Sequence, residues 1–216
     1  MKSYKLHLLR HGLTQANLDK RYMGGGTDAP LCQQGMDDLR ALTARCRYPV
    51  VNTLFSSPMK RALQTAEILF PAATDRLVVE DIRECCLGAF EGRSWEELQG
   101  DADFQKWLNP QSDFVPRGGE SGRDFAERTA RALLGMMEHM AQNGIFEAAC
   151  ITHGGVIMAM LGQLGLPRRA QPQWMSDNGC GYTVQATAAM LMRDQLVEVT
   201  GIVPHGYAGE AEFMRD

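Results

Sequence analysis

Four places in the chain end an apolar, strand-like run in groups able to act on an anion. They are Leu8-Leu9-Arg10-His11-Gly12; Ser56-Ser57-Pro58 with Arg61 one turn further on; Arg83-Glu84; and His153-Gly154-Gly155. Arginine offers a planar, permanently charged fork that matches phosphate oxygens. A neutral imidazole can attack phosphorus, and a carboxylic acid can protonate a departing oxygen. Gathered at one rim, such a set would support phosphoryl transfer with no metal and no other cofactor.

The elements that must gather them alternate in type. Strand-like runs occur at Leu6–Leu9, Asn52–Ser57, Leu77–Asp81 and Ala148–His153, between helical patterns at Leu31–Arg47, Met59–Phe70, Ser121–Gln142 and Val156–Leu164. That order predicts an α/β fold, a three-layer α/β/α arrangement around a mostly parallel sheet. In such sheets ligands bind beyond the carboxyl ends of the strands, which is where the four reactive stretches fall. Asn143-Gly144 should stop the long third helix. The tail from Gly181 to Val203, with the segments TVQAT, AAMLMR and LVEVTGIV, reads as extended and should complete the sheet edge. Residues 1–216 are expected to form a single domain, with 88–120, which lacks strand patterning, as a lid-like insertion.

Composition narrows the class. The chain has 216 residues, 44% hydrophobic, with 22 Lys+Arg against 26 Asp+Glu and a formal charge of -4, so no global footprint for nucleic acid or an anionic membrane exists. Six cysteines, without paired CxxC motifs, suit neither a zinc site nor a disulfide framework and imply reduced thiols. No signal-like or membrane-length apolar run occurs near the start, so a soluble, cytoplasmic protein is expected.

The stretch RHGLT at Arg10–Thr14 resembles the RHG signature of the histidine phosphatase superfamily, also called phosphoglycerate mutase-like. Further matches follow in order: Asn17, Gly24, DAPLCQQG at Asp28–Gly35, SSPMKRALQTAE at Ser56–Glu67, ECCLGAFEG at Glu84–Gly92, GGES at Gly118–Ser121 and ITHGGV at Ile151–Val156. The resemblance extends to about Val203. It implies that His11 is a nucleophile that becomes phosphorylated, and that Arg10, Arg61 and His153 hold the phosphoryl oxygens. Asn17, Gly24 and the backbone of Gly154 would join in substrate binding, and Glu84 would be the proton donor and then the base that activates water. His11 must then be neutral, with Nδ1–H given to a fixed acceptor, whereas Glu84 must keep a proton near neutrality inside a partly enclosed site.

The resemblance points to the phosphatase branch, near alpha-ribazole phosphatase-like and broad-specificity members, and to a small-molecule phosphate monoester as substrate. A homodimer would be the only protein assembly expected. Two other functions remain open at this point: a cofactor-dependent phosphoglycerate mutase and a pseudophosphatase that binds a phosphorylated ligand without turnover. Against the mutase, only about 33 residues separate Glu84 from Gly118, too few for the longer mutase insertion. Leu13 and Cys32 depart from the family pattern; the first bears on substrate contacts, and the second should forfeit a helix N-cap worth about 1 kcal/mol. His7, His139 and His205 read as structural or surface residues. Trp95, Trp107 and Phe90 could line a pocket or simply pack together, and Met136, Met137 and Met140 read as core.

Overall fold

The computed structural model describes residues 2–109 and 112–207. Pro110 and Gln111 of the expected insertion, and 208–216, lie outside the described residues. Among the described residues, seven strands form one sheet: β1 (Ser3–Arg10), β2 (Thr53–Ser56), β3 (Asp75–Val78), β4 (Glu147–Thr152), β5 (Gly165–Leu166), β6 (Gly181–Thr187) and β7 (Val197–Val203). Their spatial order is β3-β2-β4-β1-β6-β7-β5. The β1, β2, β3 and β4 strands run parallel, whereas β6 is antiparallel to both β1 and β7.

The helices are α1 (Gln15–Leu18), α2 (Gln33–Arg45), α3 (Lys60–Leu69), α4 (Trp95–Leu98), α5 (Ala102–Leu108), α6 (Gly122–Asn143) and α7 (Gly154–Leu164). Successive strand side chains point to opposite faces. Leu6 and Leu8 of β1 and Ala148 and Cys150 of β4 therefore meet α6 and α7 through Leu133, Met137 and Ile157, while Leu9, Ala149 and Ile151 pack on Leu39, Ala62 and Ala66 of α2 and α3. A central strand covered on both faces must be apolar at almost every position, which is why Leu8-Leu9 runs straight into Arg10 without alternation. Among the described residues, no helix is long and apolar enough to cross a membrane.

Three local expectations change. The run AAMLMR is not extended: Met190–Asp194 form a single π-helical turn that ends at Gln195, with φ 51°. Since β6 and β7 pair with each other antiparallel, the residues between them must reverse the chain and have no strand to join. The third strand stops at Val78, short of Asp81, because Glu80–Ile82 form a 3-10 turn that drives Ile82 fully into the core. Arg83-Glu84 therefore sits on irregular backbone rather than on a strand end. The cap at Cys32 is kept: its thiol sulfur accepts from the Gly35 amide at 3.3 Å and donates to the Leu13 carbonyl at 3.5 Å.

Gly144 ends α6 where the sequence placed the stop, and does so in the left-handed conformation, at φ 68°. Between Gly88 and Glu120 the chain builds a small core of its own around the fully buried Phe104. Phe104 makes edge contacts with Tyr22, Phe90 and Trp95 and stacks on Trp107, so these aromatic residues serve packing. All six cysteines are free thiols.

Candidate active site

The turn after β1 is pinned at every peptide group. Arg10 donates its amide to Cys180 and accepts from the Gly179 amide, both at 2.9 Å. The His11 amide donates to Thr152 at 2.9 Å, and its carbonyl accepts from Asn178 Nδ2 at 2.7 Å. The Gly12 amide reaches Thr65 Oγ1 at 2.9 Å, and that hydroxyl donates to the Arg61 carbonyl at 2.6 Å. Gly12 does not have a left-handed φ, so the turn does not demand glycine for its backbone. Space is close there instead: a Cβ would lie 2.7 Å from Leu39 Cδ1, so that side chain would have to shift.

His11 is buried, and its Nδ1 lies 2.6 Å from the Gly12 carbonyl, an acceptor that requires the proton on Nδ1 and leaves Nε2 with a free lone pair. Burial pushes its pKa down to about 3, with help from Arg61 and Arg10 and against the pull of the Gly12 carbonyl. The fixed acceptor at Nδ1 and the lowered pKa are the two features expected of this histidine from the sequence.

Arg61, in the first turn of α3, is fully buried. Its Nη2 donates to the Gly24 carbonyl at 3.0 Å, Nη1 to Thr27 at 3.1 Å, and Nε to His153 Nδ1 at 3.3 Å. Because arginine only donates, His153 must accept at Nδ1 and carry its proton on Nε2, which lies 2.8 Å from Ser57 Oγ. Both nitrogens of His153 are held by protein, so the phosphoryl contact expected of it requires one of these bonds to open. The ring meets that of His11 edge-on at 5.1 Å. Burial lowers the pKa of His153, as do the cationic neighbours.

Arg10 donates through Nη1 to the Ser176 carbonyl at 2.8 Å, but its Nε is buried with no partner among the described residues. Gly154 lies beside it, where a Cβ would come within 3.3 Å of that Nε. Opposite, Glu84 accepts from the Cys85 amide at 2.9 Å and from the Gly155 amide, in the first turn of α7, at 3.1 Å. Burial raises its pKa; the two amides, Arg61 and Arg10 pull the other way without reversing it. Asn17 uses Oδ1 to accept from the amide and hydroxyl of Thr14, closing a capping box on α1 and leaving its amide NH2 as a donor. Gly24 contributes through its carbonyl to Arg61, and its own Cβ position is filled by the Cys85 carbonyl at 2.1 Å.

Several supporting contacts escaped the sequence reading. Ser57, Thr65 and Asn178 hold the histidines and their turn. Glu91 accepts from the amides of Gly24, Gly26 and Leu87, tying the loop under Arg61 to the insertion. Glu91 stands within ECCLGAFEG, yet nothing in the string separates it from the exposed acids nearby. Among the described residues, no group of three or more His, Cys, Asp or Glu side chains converges as a metal site would require.

A doubly covered, mostly parallel sheet that presents two arginines, two neutral histidines and an enclosed carboxyl group at its carboxyl rim defines the phosphoglycerate mutase-like class. The chain belongs to the histidine phosphatase superfamily (branch 1), whose profile matches residues 6–190. It is 28% identical over 183 residues to the adenosylcobalamin/alpha-ribazole phosphatase of Escherichia coli strain K12, covering 82% of this chain and 87% of that one. Among solved structures, the phosphoglycerate mutase of Thermus thermophilus aligns with TM-score 0.64 and 34% identity, over 85% of this chain and 93% of its own. The alpha-ribazole phosphatase of Shigella flexneri shares the fold with TM-score 0.73 at 22% identity, over 91% of this chain and 94% of that one.

Proposed function

We propose that the protein is a metal-independent phosphomonoesterase that hydrolyses small phosphorylated metabolites through a phosphohistidine on His11. The observation that carries the reading is the His11 ring: neutral, with Nδ1–H fixed on the Gly12 carbonyl at 2.6 Å and flanked by cations that an incoming phosphate would neutralise. The buried, unpartnered Nε of Arg10 is a donor of the kind a phosphoryl oxygen satisfies. Arg10 and Arg61 hold the oxygens, the amide of Gly154 at the start of α7 and the Asn17 amide assist, and His153 keeps Arg61 in place.

In the first step Nε2 bonds to phosphorus as the bond to the leaving oxygen breaks, and the Glu84 carboxyl passes its proton to that oxygen. In the second, the Glu84 carboxylate takes a proton from water, whose oxygen attacks phosphorus and displaces Nε2. Neutral His11 and protonated Glu84 are restored. The Escherichia coli relative supports a metabolite substrate and hydrolysis. The mutase relative supports a second reading, in which the phosphoryl group is returned to an acceptor, and the short Glu84–Gly118 interval favours water instead.

With p-nitrophenyl phosphate and excess EDTA, full turnover is expected; absolute dependence on an added divalent metal refutes the reading. His11→Ala should form no acid-labile phosphoenzyme. Transfer to 3-phosphoglycerate faster than hydrolysis would favour the mutase.

A further inference from the structure

Glu84 must be placed without the support of a strand or helix. The segment 83–87 belongs to no helix or strand, yet its carboxyl group must stay within reach of one leaving oxygen. Arg128, in the second turn of α6, answers from behind. Its Nη1 donates to the carbonyls of Asp81 at 2.7 Å and Arg83 at 2.8 Å, and its Nη2 to that of Glu84 at 3.1 Å. The same guanidinium grips Glu120 with Nε at 2.9 Å and Nη2 at 2.7 Å, and Glu120 Oε2 in turn accepts the Cys86 amide at 3.0 Å. Both side chains are largely shielded, at 17% and 20% exposure, and the Phe125 ring lies 4.9 Å from the Arg128 Cζ. A shielded, bidentate pair is far stiffer than a surface ion pair.

We propose that Arg128 and Glu120 form a positioning couple that sets the Glu84 carboxyl group for proton transfer. They grip the backbone on either side of Glu84 and touch no reacting atom. The proposal rests on the reading of Glu84 as the proton donor. Its consequence is selective: proton delivery to the leaving group should suffer when the couple is broken, while phosphate binding and attack by His11 should not.

The test compares kcat/KM for an alkyl phosphate, which needs the acid, with that for 2,4-dinitrophenyl phosphate, which leaves without it. Arg128→Ala should lower the alkyl value about 100-fold and the dinitrophenyl value by less than about threefold, with the inhibition constant of inorganic phosphate unchanged. Arg128→Lys and Glu120→Gln, which keep part of the grip, should show the same selectivity at smaller size. They also decide the matter if the alanine variant does not fold. Equal losses on both substrates, or no loss on either, overturn the proposal. Glu84→Gln is the reference: if it shows no leaving-group selectivity, the proton-donor reading itself has failed. If it does and the Arg128 and Glu120 variants do not, only the positioning couple has failed.

Discussion

His11 and Glu84 are driven in opposite directions by the same burial. Removing water penalises whichever form is charged, so the imidazole is held neutral and the carboxyl group is shifted toward its protonated form, the directions the proposed first step needs. The sign of the pH dependence follows. His11 remains a free base down to about pH 3, so it imposes no loss near the ordinary histidine range. Glu84 loses its proton as pH rises through its elevated pKa. With an alkyl phosphate, kcat/KM should therefore fall on the alkaline side of a profile run from about pH 5 to about pH 9, and Glu84→Gln should be slow and lack that limb. A limb of the same midpoint persisting in Glu84→Gln would assign it to another group.

At the scale of elements, the start of α7 places two functions side by side. Gly154 leaves room at the Arg10 guanidinium, while the Gly155 amide holds Glu84. A Cβ on Gly155 would fall 2.4 Å from Glu84 Oε1, so the carboxyl group must move if one is added. Alanine is otherwise the better helix former, by up to about 1 kcal/mol, so the helix itself should not suffer. Gly155→Ala should keep its thermal midpoint to within a few degrees yet lose about tenfold or more in alkyl phosphate turnover. Unchanged turnover would show that Glu84 tolerates displacement. Legibility differs among elements for a related reason. The β1 and β4 strands, both helix-covered faces and the Gly144 stop were readable because burial and turn chemistry write themselves into residue type. The 188–193 run was not, because its apolar residues serve a chain reversal whose necessity comes from the pairing of β6 with β7.

For the molecule as a whole, three buried histidines, His7, His11 and His153, are all held below their usual pKa, mainly by loss of water. His7 is boxed between Thr183 Oγ1 at 2.9 Å and Glu147 Oε1 at 3.0 Å and takes no part in the site. Below the unfolded histidine pKa near 6.5, the unfolded chain binds more protons at these positions than the native one, so stability falls as pH falls. Glu84, raised in the native state, works in the opposite direction but is one group against three. The thermal midpoint should drop between about pH 7 and about pH 5; an unchanged or rising midpoint would show that the histidines are not held neutral.

What residue order determined by itself is the class of the molecule and which groups are candidates for its chemistry. Arg10, His11, Arg61, Glu84 and His153 each follow a local pattern, and their chemistry is carried by residue type. Only the tertiary structure decided how those groups are held. The Arg61–His153–Ser57 chain, the Thr65 and Asn178 bonds to the His11-Gly12 turn, and the Arg128–Glu120 grip join groups through contacts that no local pattern announces. A lone polar residue gives no sign in the string of which backbone group it will satisfy. Buried peptide groups on irregular segments must find partners wherever the fold brings one near, and that nearness exists only once the sheet has assembled.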